Sequence, residues 1–275
     1  MKDPNIYRVR VMERAMQVLD CFDDEHPERG VSEIAQLVGL HKATAHRIIV
    51  SLMNGGFLEK APDGERYRLG LRLAELGMAA IRSLDFRREA IPHMKALVDR
   101  FEETCDLSVF DRGEVFYVEV LQGKHVLTIA AKVGQRLPPH CTASGKTFLA
   151  YMPEAEVRNI LKEPLHRYTE RTITSAQEVM AQLPEVRARG YGYDDEEYEL
   201  GIRAVAAPIF NREGRVIAVV SMPGPTSRMD AAHVQEIAEE LRSATRAISL
   251  RMGWQGERTY PRDSWMPSRA TAAAQ

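Results

Sequence analysis

The octapeptide HCTASGKT, His140 to Thr147, is where this chain looks most like chemistry. A phosphate-cradling loop reads G-x-x-x-x-G-K-[ST], with backbone N–H groups wrapped around the phosphates and the lysine reaching their far end. Gly145, Lys146 and Thr147 stand at that spacing, but His140 takes the place of the first glycine. A side chain there keeps the backbone from wrapping closely. The preceding KVGQRLPPH contains two prolines and reads as an extended loop, and no repeated strand–helix–strand units follow. A nucleotide site is therefore not supported. What remains is a helix start, whose N–H groups near Ala143, Ser144 and Gly145 lack intrahelical acceptors and, with the Ser144 hydroxyl, suit a carboxylate. Lys146 reads as a solvated helix residue.

His140 beside Cys141 raises two other chemistries, a thiol nucleophile and a metal site. A nucleophile and its base must meet in space with a third, orienting group, and adjacent residues seldom point together. Neither H-x-x-x-H nor C-x-x-C spacing occurs, which removes the usual zinc patterns. No catalytic residue, metal or cofactor is expected. An enzyme built around His140, Cys141 and Asp194 stands as one alternative, and a ligand-binding sensor module without DNA binding as another.

Residues 31–50, VSEIAQLVGLHKATAHRIIV, form a second constellation. Two helices crossing at a tight turn need a small residue at the contact, a residue able to take positive φ four positions on, and apolar residues beneath. Ala35 and Gly39 fill the first two places, and Ile34, Val38, Leu40, Ala45 and Ile48 the others. The second helix then exposes Lys42, Thr44, His46 and Arg47, and no acidic residue occurs from His41 to Leu58. That is what a phosphate-facing surface requires. A hairpin follows, turned at Asp63-Gly64, and carries Lys60, Arg66 and Arg68 as a wing. The bland reading is a small helical bundle with a solvated basic face.

Around these stretches the periodicities place the remaining elements. Val11, Ala15, Val18, Leu19 and Phe22 mark a first helix, closed by the loop DDEHPERG, and Ser32 caps the second. Leu73, Leu76, Ala80 and Leu84 mark a connecting helix that ends near DFRREA. Ile91, Met94, Leu97, Val98 and Phe101 mark the next, with Pro92 near its start. Strands are expected at LSVFD, VFYVEVL, VLTIAAKV, RAVAAPIF and RVIAVVSM. Helices are expected over Glu154–Lys162, Ser175–Arg189 and Asp230–Met252. The fold class is α+β: a winged helix-turn-helix over 8–70, a linker helix over 71–86 and a mainly antiparallel sheet domain over 87–253. The tail 254–275 is expected to be disordered.

At 275 residues, with 44% hydrophobic and 28% charged residues, the chain is an ordinary globular length for two domains. Its net charge of −2 gives no global signal for nucleic acid, so DNA contact rests on the local surface. Three scattered cysteines favour free thiols in a cytoplasmic protein. No signal peptide or membrane span is read.

The blocks VGQRLPPHCTASGKTFLA, YDDEEYELGIRAVAAPIFNREG and VIAVVSMPGP, in that order after a winged helix-turn-helix, resemble the isocitrate lyase regulator (IclR) family of bacterial transcription factors. The resemblance runs from about Arg8 to Met252. It implies a double-stranded DNA operator as partner, a homodimer or homotetramer, and a GAF-like domain binding a small-molecule effector, often an organic or aromatic acid. Carried over by position, Ala143 and Ser144 would offer backbone amides to the effector, Ile129 and Leu137 apolar wall, Asp194 an acceptor, and Ala204 and Ser221 the facing strand pair. Many relatives have cysteine at the place of Ala204 and a polar residue at that of Pro223, so this pocket has lost polar groups. Ala43 stands where relatives often have serine. The run Asp194 to Glu197 also reads as a solvated loop, more so for its last three residues.

Overall fold

The computed structural model describes residues 9–23, 25–82, 84–126 and 128–256. The chain divides into two units, one up to residue 83 and one from Leu84 onward.

In the first unit, α1 (Arg10–Leu19) is followed by β1 (Glu28–Gly30), α2 (Val31–Leu37), α3 (Lys42–Asn54), β2 (Leu58–Lys60), β3 (Arg66–Leu69) and α4 (Leu71–Arg82). The turn between α2 and α3 forms as the sequence requires. Ala35 is buried, Gly39 takes φ +63°, and the Leu40 N–H donates to the Ala35 carbonyl at 2.8 Å. Ile34, Ile48 and Ile49 pack with Val18, Phe22, Leu58 and Tyr67. Three expectations change. Glu28–Gly30, read as loop, pairs antiparallel with β3 and makes the wing three-stranded, order β1-β3-β2. With that strand abutting it, α2 opens at Val31 with Gly30 at its cap, and Ser32 lies inside the first turn. Val11 is 65% exposed, so the apolar stripe of the first helix meets the core from Ala15 onward, through Ala15, Val18 and Leu19, with Phe22 following, and not at its first turn.

The second unit is built on a six-stranded antiparallel sheet, order β6-β5-β4-β9-β8-β7. The strands are β4 (Cys105–Asp111), β5 (Glu114–Leu121), β6 (Arg136–Leu137), β7 (Gly192–Asp195), β8 (Ile202–Phe210) and β9 (Val216–Pro225). Alternation along them feeds two cores. Cys105, Leu107, Val205, Ala207 and Val220 pack with α5 (Asp85–Phe101) and α9 (Ala231–Arg251). Tyr117, Ala206 and Val219 pack with α6 (Ala143–Ala150), α7 (Glu154–Ile160) and α8 (Ala176–Arg189). Ser175 and Asp230 cap α8 and α9 through their side chains.

Here too the structure corrects the sequence. VLTIAAKV is not a strand: Val126 is fully exposed and residues 128–132 have no regular structure. The edge of β5 pairs instead with Arg136–Leu137, and the apolar side chains of the loop turn into a cavity. Asp194, read at the head of an acidic loop, lies in β7, paired with Ala204. Leu84 leaves the connecting helix and packs on the core of the second unit. That contact anchors α5 early, so Pro92 is interior to it; the hydrogen bond a proline cannot make falls at exposed Arg88. Trp254, assigned to a disordered tail, stacks on Phe210 at 5.0 Å and donates its backbone N–H to Ser249. Residues 257–275 of that tail, like Arg8, lie outside the described residues.

α6 is buried along its entire length. A Cβ on Gly145 would stand 2.3 Å from Pro139 Cα and 2.4 Å from its carbonyl oxygen. Main chain cannot yield as a flexible side chain can. Gly145→Ala is therefore expected to lower stability by about 1–3 kcal/mol, the usual range for overpacking, in urea unfolding at unchanged slope. A loss below about 0.5 kcal/mol would refute this reading of the contact.

Candidate functional site

Lys42, Ala43, His46 and Arg47 are exposed on α3 and Thr44 partly so, while Ala45, Ile48 and Ile49 point into the core. The helix carries no acidic residue, so Lys42 and Arg47 keep their charge unopposed by helix neighbours. The wing differs. Arg66 is held by Asp63 at 2.6 Å and Glu28 at 2.8 Å, and Arg68 by Glu59 at 2.6 Å. The Lys60 ammonium donates to the Gly64 carbonyl at 2.6 Å. The wing arginines are thus held by local carboxylates, whereas α3 carries no acidic residue.

The seven effector candidates, Ile129, Leu137, Ala143, Ser144, Asp194, Ala204 and Ser221, line one cavity of about 380 Å³. They come from a loop and from β6, α6, β7, β8 and β9. Cross-strand pairing sets Asp194 beside Ala204 and Ala204 beside Pro223. Tyr117, Ala131, Gln135, Thr142, Tyr198 and Pro223 complete much of the wall. No Lys, Arg or His is among the lining residues.

Thr142 caps α6: its side-chain oxygen accepts the Gly145 N–H at 3.2 Å and donates to the Pro138 carbonyl at 2.7 Å. Gly145 is thus withdrawn from the expected amide set, while Ala143 and Ser144, the first two residues of α6, line the cavity. The rest of SGKT serves packing. Thr147 donates to the carbonyls of Ala143 and Ala206. A Cβ on Gly192 would stand 2.3 Å from the Ala143 carbonyl, so the start of α6 lies directly on β7. Lys146 is not solvated. It is buried, ion-paired with buried Glu197, and 3.4 Å from the Tyr193 carbonyl. The acidic run is likewise not a free loop: Glu197 neutralises Lys146, and its N–H donates to Asp194 Oδ1 at 2.8 Å.

Burial pushes the Asp194 carboxyl up to about 7. The enzyme-like neighbours find no chemistry. Cys141 is fully buried and burial raises its thiol far above the ordinary range. The His140 Nε2 is engaged with the His166 carbonyl at 2.9 Å, and burial lowers the ring's pKa. No thiolate results, and the His140 ring is held neutral with its Nε2–H donating to the His166 carbonyl.

Asp106 is a residue that no motif or spacing marks. It lies on β4 opposite Ser221, accepts the Ser221 hydroxyl at 2.6 Å, is fully buried, and is pushed up to about 7 by burial. In CDLSVFD a carboxylate between Cys105 and Leu107 looks like the wet face of a half-buried strand. Only the helix layer over that face makes it otherwise.

Residues 11–62 match the family described as IclR helix-turn-helix domain, and residues 78–250 that described as bacterial transcriptional regulator IclR C-terminal. The chain is 36% identical over 247 residues to the HTH-type transcriptional regulator XynR of Escherichia coli K12, covering 90% of this chain and 98% of that one. It is 36% identical over 238 residues to KdgR of the same organism, covering 86% and 90%. Among solved structures, Thermotoga maritima IclR matches with TM-score 0.72 at 30% identity, over 90% of this chain and 100% of that one. An IclR homolog from Microbacterium hydrocarbonoxydans, complexed with 4-hydroxybenzoate, matches with TM-score 0.78 at 30% identity, over 88% and 98%. A winged helix-turn-helix followed by an antiparallel sheet domain enclosing a small-molecule cavity defines a DNA-binding transcriptional regulator with an effector-binding domain. This chain belongs to the IclR family of bacterial transcriptional regulators.

The buried carboxyls make stability pH-dependent. Folded Asp106 holds its proton up to about 7, against an ordinary value of 3.8. Its contribution is therefore full below 3.8 and is lost as pH rises to about 7. Asp106→Asn should gain on the wild type between pH 4 and pH 8 by on the order of 4 kcal/mol, read from denaturant unfolding at both pH values. A constant difference would show that Asp106 is ionised throughout.

Proposed function

We propose that this protein is an effector-responsive, sequence-specific operator-binding regulator whose effector is a small organic acid bound in the cavity of the second unit. The observation that carries this is the pair of N–H groups at Ala143 and Ser144, which open a buried helix into an otherwise largely apolar space. A carboxylate there meets the positive end of the helix dipole and two preset donors. No cation lines the cavity, and besides Asp194 its lining includes Glu199, which is exposed to solvent, so an anion inside is compatible with buried Asp194 only when that carboxyl is protonated. The volume of about 380 Å³ and the wall of Ile129, Leu137, Ala204 and Pro223 suit a partly apolar acid with one ring better than a two- or three-carbon oxoacid. A relative's complex with 4-hydroxybenzoate supports the same class.

For DNA, the reading places α3 in the major groove, with Lys42, Ala43, Thr44, His46 and Arg47 toward the duplex and Arg66 on the wing. Two recognition helices at fixed spacing require at least a dimer. The exposed apolar residues Met12 and Met16 of α1 and Leu71, Leu76 and Met78 of α4 offer the surface for it. The site of action is cytoplasmic.

Arg47→Ala is expected to weaken binding to the promoter fragment nearest its own gene by about 1–3 kcal/mol if it reads a base. Lys42→Ala should weaken all sequences alike and reduce the salt slope by about 1. Wild-type protein that binds this fragment no better than random DNA, with and without acids, would instead mark a sensor module.

Effector binding carries its own signature. Because Asp194 must be neutral beside the anion, affinity for the acid should fall about tenfold from pH 6 to pH 8, with proton uptake seen by calorimetry in two buffers. Asp194→Asn should remove most of that dependence when compared in an Asp106→Asn background, where the second carboxyl that titrates at about 7 is absent, and should leave operator affinity in the absence of effector unchanged. Affinity that rises with pH, or tight ATP binding at the same site, would refute the reading.

A further inference from the structure

Ser221 has one proton and two lone pairs to offer. Its proton is committed to Asp106 Oδ1 at 2.6 Å, so the oxygen turns only lone pairs to the cavity it lines. Behind it, Asp106 Oδ2 is buried with no hydrogen-bond partner. With Asp106 ionised, the Ser221 corner of the cavity therefore presents acceptor oxygen, with the Tyr117 phenol, which also lines the cavity, near Asp106.

Its position follows from the sheet register. Asp106 on β4, Ser221 on β9, Ala206 on β8 and Gly192 on β7 form one row across the sheet. Gly192 lies under Ala143 at the start of α6. With strands about 4.8 Å apart, Ser221 is roughly 10 Å along the row from that start. The two polar ends of the cavity thus have opposite character, N–H donors at α6 and acceptor oxygen at Ser221, separated by apolar wall.

We propose that the Ser221–Asp106 pair is the specificity determinant for the far end of the effector, selecting an acid that carries a hydroxyl or N–H donor opposite its carboxylate. The proposal rests on the organic-acid reading above and names what that acid must bear. A donor there completes the unmet acceptor capacity of Ser221. A ligand without one desolvates that oxygen and the carboxylate behind it with nothing in return.

The test is calorimetry on the full-length protein at pH 8, above the value of about 7 to which burial brings Asp106. The probes are para-hydroxybenzoate and para-aminobenzoate against para-fluorobenzoate, and 5-hydroxypentanoate against pentanoate. In each series the donor is expected to bind about tenfold or more tighter than its partner without one. Ser221→Ala should reduce that preference to below about threefold, mainly by weakening the donors. Asp106→Asn should do the same, because its amide can offer Ser221 either a donor or an acceptor. It also keeps the buried shape, and so carries the comparison if Ser221→Ala does not fold. Donor and non-donor acids binding alike to the wild type, or an undiminished preference in Asp106→Asn, would overturn the proposal and leave the organic-acid reading standing. Failure of every acid to bind would overturn both.

Discussion

Everything at the effector cavity depends on one helix being pressed whole into the sheet. α6 can approach so closely because Gly145 lies against the main chain of Pro139 and Gly192 lies beneath Ala143. Close approach buries every side chain of the helix, Lys146 included. A buried ammonium needs a counter-charge, and Glu197 supplies it from the segment after β7. That segment, once tied down, directs the Glu197 N–H to Asp194 and so sets the carboxyl at the cavity wall. The position of Asp194 thus traces back, step by step, to two missing Cβ atoms.

The parts of the fold legible in the sequence are those whose geometry is local. Ala35 and Gly39 define the helix-turn-helix within a few residues of each other, and Ser175 and Asp230 announce the helices they cap. What could not be read depends on a partner distant in the chain. Glu28–Gly30 becomes a strand only because β3 has a free edge, and nothing in three polar residues says so. The apolar run 126–133 has strand composition, but Arg136–Leu137 takes the sheet edge. Asp106 and Lys146 look like solvent-facing residues because alternation and helical period show one buried face. They do not show whether a second layer covers the other. The effector candidates are scattered from Ile129 to Ser221, and apart from Ala143 and Ser144, which the helix start in HCTASGKT marks, they came from the family resemblance rather than from spacing.

Charge in the first unit is arranged more narrowly than composition conveys. The wing arginines are answered by Glu28, Asp63 and Glu59, which fixes the shape of the hairpin and removes most of its field. On α3 the only charged side chains are Lys42 and Arg47, and no acidic residue on the helix answers them. In a chain of net charge −2, such concentration lets one helix attract a polyanion while the rest of the molecule stays indifferent to it.

In the proposed reading the anchor for the acid is main chain. The Ala143 and Ser144 amides persist whatever side chains stand at those positions, proline excepted, whereas the wall is made of single replaceable side chains on β8 and β9. Substitution at Ala204, Pro223 or Ser221 changes which molecule fits without disturbing how its carboxylate is held. Such a division lets a lineage acquire responsiveness to a new metabolite in single mutational steps, each retaining a working grip on acids as a class.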